Sequence, residues 1–399
     1  MSGPSTRMGA SSPEGGRAPN PKGAGVVMLT AGFHPQLGGA ERQALELSRA
    51  LVAAGEGVRV ITRRLPGLPS EDLVDGVPVL RLAAWGGGLT GSAVFLAASF
   101  LHLLLRARGH RAIHVHLAGS PAVAAALAGR LTGKPVVVKV GGGRGIGEVA
   151  VSSRTLAGRL KLALLRFLRP RLVAVCADLL EELRIQGLDD GAVVIHNGVD
   201  LDRYRPTPPE ERLRLRRSLG WPDGPVLLYA GRLSPEKRLV EFLGVFAEGV
   251  RGRPEGPVLV LAGDGPREGE LRAAVERLGL SSRVRLLPAT PDVRGLYAAA
   301  DAFVLPSLSE GLSNSLLEAM ASGLAVLASR VGGTREAVED GRSGLLFDPL
   351  DGEQAREKLG RLLDEPGLAA RLGARAREAA ESFSMTETVR KYRELYDAG

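Results

Sequence analysis

One cysteine, Cys176, stands in a chain of 399 residues, so neither an intrachain disulfide nor a multi-cysteine metal site can form, which fits a reducing compartment. Aromatics make up only 4%, so the core must be built mostly from Leu, Val and Ala. Basic patches interleaved with aromatic rings, the usual grip on single-stranded nucleic acid, are lacking, and no nucleic-acid partner is expected. Acids are nearly missing from Gly76 to Ala177, where 14 basic residues face a single Glu148. Long apolar runs are missing too. Ala93 to Leu105 would span about 20 Å as a helix against about 30 Å of hydrocarbon, and Gly86, Gly87, Gly88 and Gly91 interrupt the uncharged region before it, so a buried helix is expected. Residues 1–24 are rich in Gly, Pro and Ser without an apolar run; they read as a disordered tail and not a signal peptide, which points to the cytoplasm.

The charge that is present is divided unevenly. Residues 1–177 hold 22 Lys/Arg and 8 Asp/Glu, a balance of +14, whereas residues 178–399 hold 30 and 36, a balance of −6. The first half therefore suits an anionic partner: nucleic acid, anionic lipid or a phosphorylated substrate. Short β-branched runs alternate with longer helical patterns throughout, the mark of βα units around parallel sheets. Strands are predicted at 26–30, 58–62, 112–116, 135–140, 172–176 and 193–196, and in a second series at 226–230, 258–262, 283–287, 302–305 and 325–328. Asn197 to Asp223, with Pro206, Pro208, Pro209 and Pro222, reads as the join. The expected organisation is α/β: a domain over 25–200, a second over 201–380, and a C-terminal helix at 381–399 whose Val389, Tyr392, Leu395 and Tyr396 share a face that needs a partner. Two doubly wound units bind ligands outside the carboxyl ends of their strands, so a shared substrate would sit between them.

Chemistry concentrates in the run from Pro306 to Ala321, which follows a strand and opens a helix. Ser313 or Asn314 can cap that helix, leaving unpaired N–H groups and a positive dipole end suited to a diphosphate. Glu310 precedes the cap and can reach a sugar; Glu318 lies within the helix and can reach a ribose.

Glu310 and Glu318, with seven residues between them and Ala319-Met320-Ala321 after, resemble the motif of the retaining glycosyltransferases of family 4. The resemblance also takes in Gly38-Gly39-Ala40-Glu41-Arg42, His114-Val115-His116, Asn197-Gly198-Val199-Asp200, the run Tyr229 to Lys237, Ala262-Gly263-Asp264-Gly265-Pro266 and Val331-Gly332-Gly333-Thr334-Arg335-Glu336. It implies the GT-B fold: two doubly wound Rossmann-like domains facing across a cleft, with the C-terminal helix packed back on the first. It also implies a nucleotide-sugar donor, UDP- or GDP-linked, with Arg232 and Lys237 holding the diphosphate in place of an obligatory metal and no bound cofactor. Glu310 would bind sugar hydroxyls, and Leu312, Ser313 and Asn314 would offer backbone amides. Gly263, Ala289, Thr290 and Glu318 would line the nucleobase and ribose, with Asp264 and Pro291 close by. In the first domain, Gly38 and Gly39 let the backbone approach the donor. His114 and His116 face one side of a strand; His116, nearer the carboxyl tip, is expected to touch the transferred sugar and His114 to belong to the core.

The acceptor is expected at the loop Gly141 to Glu148, with Lys139, Gly142, Gly143 and Arg144; many family members carry a His-bearing segment there, which this chain lacks. From Arg154 to Arg171, leucines alternate with six cations, a pattern that suits either a helix lying on anionic lipid or a polar-faced core helix. A glycan or lipid-linked acceptor and peripheral attachment to the inner membrane face follow as expectations. Scarcity of acids in the first domain favours attack on the face the leaving group vacates over a carboxylate nucleophile. Rival readings are a nucleotide-sugar epimerase of the same fold, a catalytically dead partner subunit, an anion-binding non-enzyme, and a dinucleotide-dependent oxidoreductase suggested by Gly86 to Gly91. The last lacks the acid about 20 residues on that would hold a ribose.

Overall fold

Two parallel sheets, each flanked by helices, organise the computed structural model, which describes residues 25–35, 38–86, 88–253, 256–290 and 292–398. The expected tail, Gly87 and Pro291 lie outside the described residues. The first sheet contains β1 (Gly25–Leu29), β2 (Val58–Arg63), β3 (Glu71–Val74), β4 (Val77–Leu82), β5 (His110–His116), β6 (Val136–Val140), β7 (Arg171–Ala174) and β8 (Val193–Val194), in the order β3-β4-β2-β1-β5-β6-β7-β8. Its helices are α1 (Gly39–Ala53), α2 (Gly88–Leu105), α3 (Ser120–Thr132), α4 (Glu148–Ser153), α5 (Leu156–Leu168) and α6 (Ala177–Ile185). After α7 (Pro209–Ser218), the second sheet runs β9 (Val226–Ala230), β10 (Val258–Ala262), β11 (Val284–Leu287), β12 (Ala302–Leu305), β13 (Ala325–Ser329) and β14 (Leu345–Phe347), in the order β11-β10-β9-β12-β13-β14. With it come α8 (Leu239–Gly249), α9 (Glu268–Arg277), α10 (Arg294–Ala299), α11 (Asn314–Ala321), α12 (Thr334–Ala337), α13 (Gly352–Asp364), α14 (Leu368–Ala380) and α15 (Met385–Asp397).

The central strands β1, β6, β9, β10 and β13 are buried along their whole length, which is why they read as unbroken apolar runs and not as alternating ones. Sequence neighbours part company between β1 and β5 in the first sheet and between β9 and β12 in the second. Those are the switch points, and strand ends there open onto a crevice that can take a ligand.

Three departures from the expected elements have local causes. The hairpin β3–β4 is antiparallel at the sheet edge, turned by Asp75 (φ 49°) and Gly76 (φ 81°). β3 has only four residues, six-residue β4 carries Pro78 and Arg81 within its run, and β14 has only three residues, so none presents an unbroken β-branched run. The last strand of the first sheet covers only Val193–Val194 and not 193–196, because His196 and Asn197 turn away toward the second domain. The apolar helix expected to be buried is longer and one-sided: Phe95 and Leu103 are buried, but Leu101 and Leu105 face solvent. Among the described residues, no helix is long and apolar enough to cross a membrane.

The apolar face of the C-terminal helix finds its partner in the first sheet. Ser384 caps α15 by accepting from Glu387 N, and Val389, Tyr392 and Tyr396 pack in one buried cluster with Val137 and Val173. Val199 N donates to Phe383 O at 2.8 Å and Met385 N to Val199 O at 2.9 Å, so the outgoing and returning chains cross side by side.

Candidate active site

The site grows from loops at the carboxyl ends of strands. After β12 the chain turns through Ser307 and Glu310 into α11, whose N-cap is Ser313: its hydroxyl accepts from Leu316 N at 3.4 Å. Glu310 is 8% exposed and Glu318 7%, so neither is a solvated surface charge. A buried carboxylate requires partners, and the two have different ones. Lys237 Nζ, from the turn after β9, lies 2.6 Å from Glu310 Oε1, and the Ser307 hydroxyl donates to the same oxygen at 2.6 Å. Glu318 accepts from Tyr297 OH at 2.9 Å and pairs with Arg42 of α1 at 3.6 Å. Burial raises its pKa above the ordinary carboxylate value, with Arg42 and Tyr297 opposing the rise.

Arg232 is exposed just beyond β9; its carbonyl is fixed by Tyr229 OH at 2.7 Å while no partner for its guanidinium is recorded among the described residues. Gly263 follows β10 at φ 150°, where a Cβ would overlap the Gly231 carbonyl, so these two strand-end loops stack backbone on backbone. Asp264 accepts from Ala289 N at 2.9 Å and joins that loop to exposed Ala289; Thr290 donates to Asp292 O at 3.3 Å. Arg232, Lys237, Glu310, Ser313 and Gly263 thus share the carboxyl edge of the second sheet.

The first domain meets this edge directly. Asn314 Nδ2 donates to Gly39 O at 2.9 Å, and Asn197 Nδ2 donates to Leu312 O at 2.7 Å and to Asn314 Oδ1 at 2.9 Å. Gly38 caps α1. In the glycine-rich loop after β6, the Ser309 hydroxyl donates to Arg144 O at 2.9 Å, and a Cβ on Gly143 would collide with Ser309. The structure therefore brings Gly38, Gly39, Gly142, Gly143 and Arg144 against Glu310, Leu312 and Asn314.

His116 and Lys139 stand apart from that contact. Both are 4% exposed, paired in register on adjacent strands and set into the sheet beneath the loop. His114 and His116 stack with ring centroids 4.5 Å apart, and His114 Nδ1 lies 2.6 Å from Tyr396 OH. Lys139 Nζ and the Nε2 atoms of both histidines have no hydrogen-bond partner among the described residues. Burial lowers Lys139 to about 7 and holds both imidazoles well below their usual value. Lys139 is accordingly not an open cation of the loop but a buried amine under it.

Sequence reasoning assigned no role to Arg42, Tyr204, Tyr297, Ser307 or Asn197. Arg42 donates to Tyr204 OH at 2.7 Å and, with Glu318 and Tyr297, forms one interdomain polar cluster. Arg42 and Asn197 sit inside motifs that stood out, but only the fold shows that they face each other's neighbourhood. A second seam lies beyond the site: Glu336 accepts from Ala177 N at 2.8 Å and pairs with His196 at 2.9 Å, and Arg335 pairs with Asp178. Among the described residues, no group of three or more His, Cys, Asp or Glu side chains could hold a metal ion.

Comparison with known proteins agrees with this layout. The family model for glycosyl transferases group 1 matches residues 211–379 and that for glycosyltransferase family 4 matches residues 37–203. D-inositol 3-phosphate glycosyltransferase of Xylanimonas cellulosilytica is 31% identical over 427 residues, covering 95% of this chain and 97% of that one. The same-named enzyme of Streptomyces scabiei is 36% identical over 242 residues; that match takes in 57% of this chain and only 54% of the relative. Among solved structures, Anabaena HepE in complex with UDP-glucose superposes with a TM-score of 0.77 at 21% identity, over 94% of this chain and all of that one. Sucrose-phosphate synthase of Thermosynechococcus elongatus gives 0.75 at 23%, with the same coverage of both chains. The fold is thus GT-B, and with strand-end loops of two Rossmann-like domains converging on Glu310 and the tip of α11, the chain belongs to glycosyltransferase family 4, a family of transferases.

Proposed function

We propose that the protein transfers a hexose-type sugar from a UDP- or GDP-linked donor to a hydroxyl acceptor with retention of anomeric configuration. The observation that carries this reading is the Lys237–Glu310 pair at 2.6 Å beside the N-terminus of α11, with Arg232 exposed next to it. A pyrophosphate at that edge would be met by the helix dipole, unpaired N–H groups and two cations, which also offset the charge that grows on the leaving diphosphate. Glu310, once Lys237 turns to the phosphates, is free to accept from sugar hydroxyls. Glu318, already bound to a phenol, is suited to a ribose diol. HepE, by name, has been seen with UDP, with UDP-glucose, and with UDP and glucose, which favours a uridine donor.

The acceptor hydroxyl attacks the face vacated by the diphosphate, which takes its proton. Positive charge comes from Arg232 and Lys237 and not from an obligatory metal. The acceptor reaches the site by way of Gly142, Gly143 and Arg144, with His116 behind the transferred sugar. D-inositol 3-phosphate, the compound in the relatives' names, is the first soluble acceptor to try; a lipid-linked or glycan precursor at the inner face of the membrane suits the basic first domain. A thermal-shift screen with UDP, GDP, ADP and their sugars tests the donor side: the cognate nucleotide stabilises by mass action, about 2.7 kcal/mol at a hundredfold excess over Kd. Failure of every nucleotide to shift melting refutes the reading. The configuration of the product at C1, read by NMR, tests retention.

A further inference from the structure

Outside the site, the most unusual surface is the outer side of the first domain. Helix α3 packs between α2 and α5, and each of the three turns a ridge of large apolar side chains to solvent. On α5 the ridge is Leu156, Leu160, Leu164 and Phe167, spaced by four, four and three residues, while Leu162 and Leu165 on the opposite side are buried. Leu127 and Leu131 repeat the spacing on α3, and Leu101 and Leu105 on α2. Leu156 is 84% exposed and Leu105 78%, values an ordinary solvated helix avoids at successive turns. Val151 on α4 and Ile146 in the glycine-rich loop are exposed apolar side chains too.

Cations border these ridges, and two of them, Arg154 and Arg159, reach only the backbone carbonyls of Gly145 and Ser153. Arg106, Arg108, Arg130, Arg154, Arg159 and Arg166 are exposed and form no ion pair among the described residues, and the stretch from Gly76 to Ala177 that holds them offers one acid, Glu148. Arg130 lies over the Phe167 ring, 5.8 Å from its centroid and so within cation–π reach, which joins cation and apolar ridge.

We infer that α2, α3 and α5 form a docking face for a bilayer containing anionic lipid, with the leucine ridges entering the acyl boundary and the arginines meeting headgroup phosphates. This deepens the membrane reading given above and rests on it. Lipid is favoured over a second copy of the chain because a two-fold contact would press one unpaired set of arginines against another. It is favoured over nucleic acid because the exposed centre is aliphatic and offers bases nothing to stack on.

Cosedimentation of the full chain with vesicles of phosphatidylglycerol and phosphatidylcholine, against phosphatidylcholine alone, tests the face. Two variants are compared: Leu156→Gln/Leu160→Gln/Phe167→Gln, and Arg130→Gln/Arg159→Gln/Arg166→Gln. The expected result is binding to the mixed vesicles, weakened on the order of a hundredfold by loss of three cations at about fivefold each, and abolished by loss of the ridge. Because all six side chains are exposed, melting should stay within a few degrees, and Leu350→Gln, an exposed leucine of the second domain, serves as control. Lack of binding to either vesicle, binding untouched by both triple variants, or concentration-dependent dimers dispersed by the leucine variant would each overturn the proposal. Nucleotide-sugar turnover with a soluble acceptor should survive in both variants; its absence in the parent chain would sink the transferase reading instead, not this one.

Discussion

Replacing Lys237 by Met removes the only cation within ion-pair distance of Glu310 among the described residues and separates two roles of one side chain. In the folded protein Glu310 would keep one donor, the Ser307 hydroxyl, for a carboxylate whose side chain is 9% exposed. Breaking a fully buried pair costs about 3–5 kcal/mol; Lys237 is 18% exposed, so water relieves part of this and about 2–3 kcal/mol is expected. At about 2–4 °C per kcal/mol for domains of this size, melting should fall by roughly 4–12 °C. Lys237→Met/Glu310→Gln should recover most of that loss, because the stranded charge is then gone. Turnover should not recover: losing one charge-stabilising donor is worth about a hundredfold to a thousandfold in kcat, and the double variant lacks it as well. Differential scanning fluorimetry and a nucleoside diphosphate release assay read the two effects separately. A single variant that melts with the parent and turns over normally would refute the argument from this ion pair.

Further outcomes follow from other parts of the structure. Lys139 is held near neutrality by burial, so the unfolded chain binds the extra proton between about pH 7 and 10.5; stability should rise with pH there by up to about 1.4 kcal/mol per unit, and Lys139→Met should flatten that slope in urea titrations at several pH values. His114 and His116, also depressed, act below about pH 6.5 with the same sign, so acid should loosen the α15 face first, read by the near-ultraviolet signal of Tyr392 and Tyr396. Gly263→Ala should cost about 2 kcal/mol or more, since the new Cβ meets the Gly231 carbonyl at a backbone angle L-residues avoid; unchanged melting would count against the stacked loops. Turnover should be largely insensitive to EDTA; abolition by chelator with recovery on adding a divalent ion would contradict the roles given to Arg232 and Lys237.

Much of the fold was legible because buried parallel strands announce themselves: Val258 to Ala262 has no polar position to disguise it. The edge hairpin was not, although Asp75-Gly76 is the dipeptide that a tight two-residue turn demands, and both residues adopt positive φ. Glu310 and Ser313 could be placed from local signals alone, a carboxylate before a helix cap. Arg42 could not, because its meeting with Glu318 depends on how the two domains close; nor could Tyr297, whose bond to Glu318 joins α10 to α11 within the second domain, and no local period encodes either contact. The exposure of the α5 ridge was equally hidden: alternating leucines and cations look alike whether the leucines face in or out, and here Leu162 and Leu165 face in while four neighbours face out.

The most direct measurement is release of nucleoside diphosphate from a panel of UDP-, GDP- and ADP-sugars with D-inositol 3-phosphate or water as acceptor, comparing the parent protein with Arg232→Ala and Lys237→Ala. The account predicts that one class of donor is consumed and that each substitution suppresses its turnover by at least about a hundredfold. Indifference of the parent to every donor, or equal turnover in all three proteins, would contradict it.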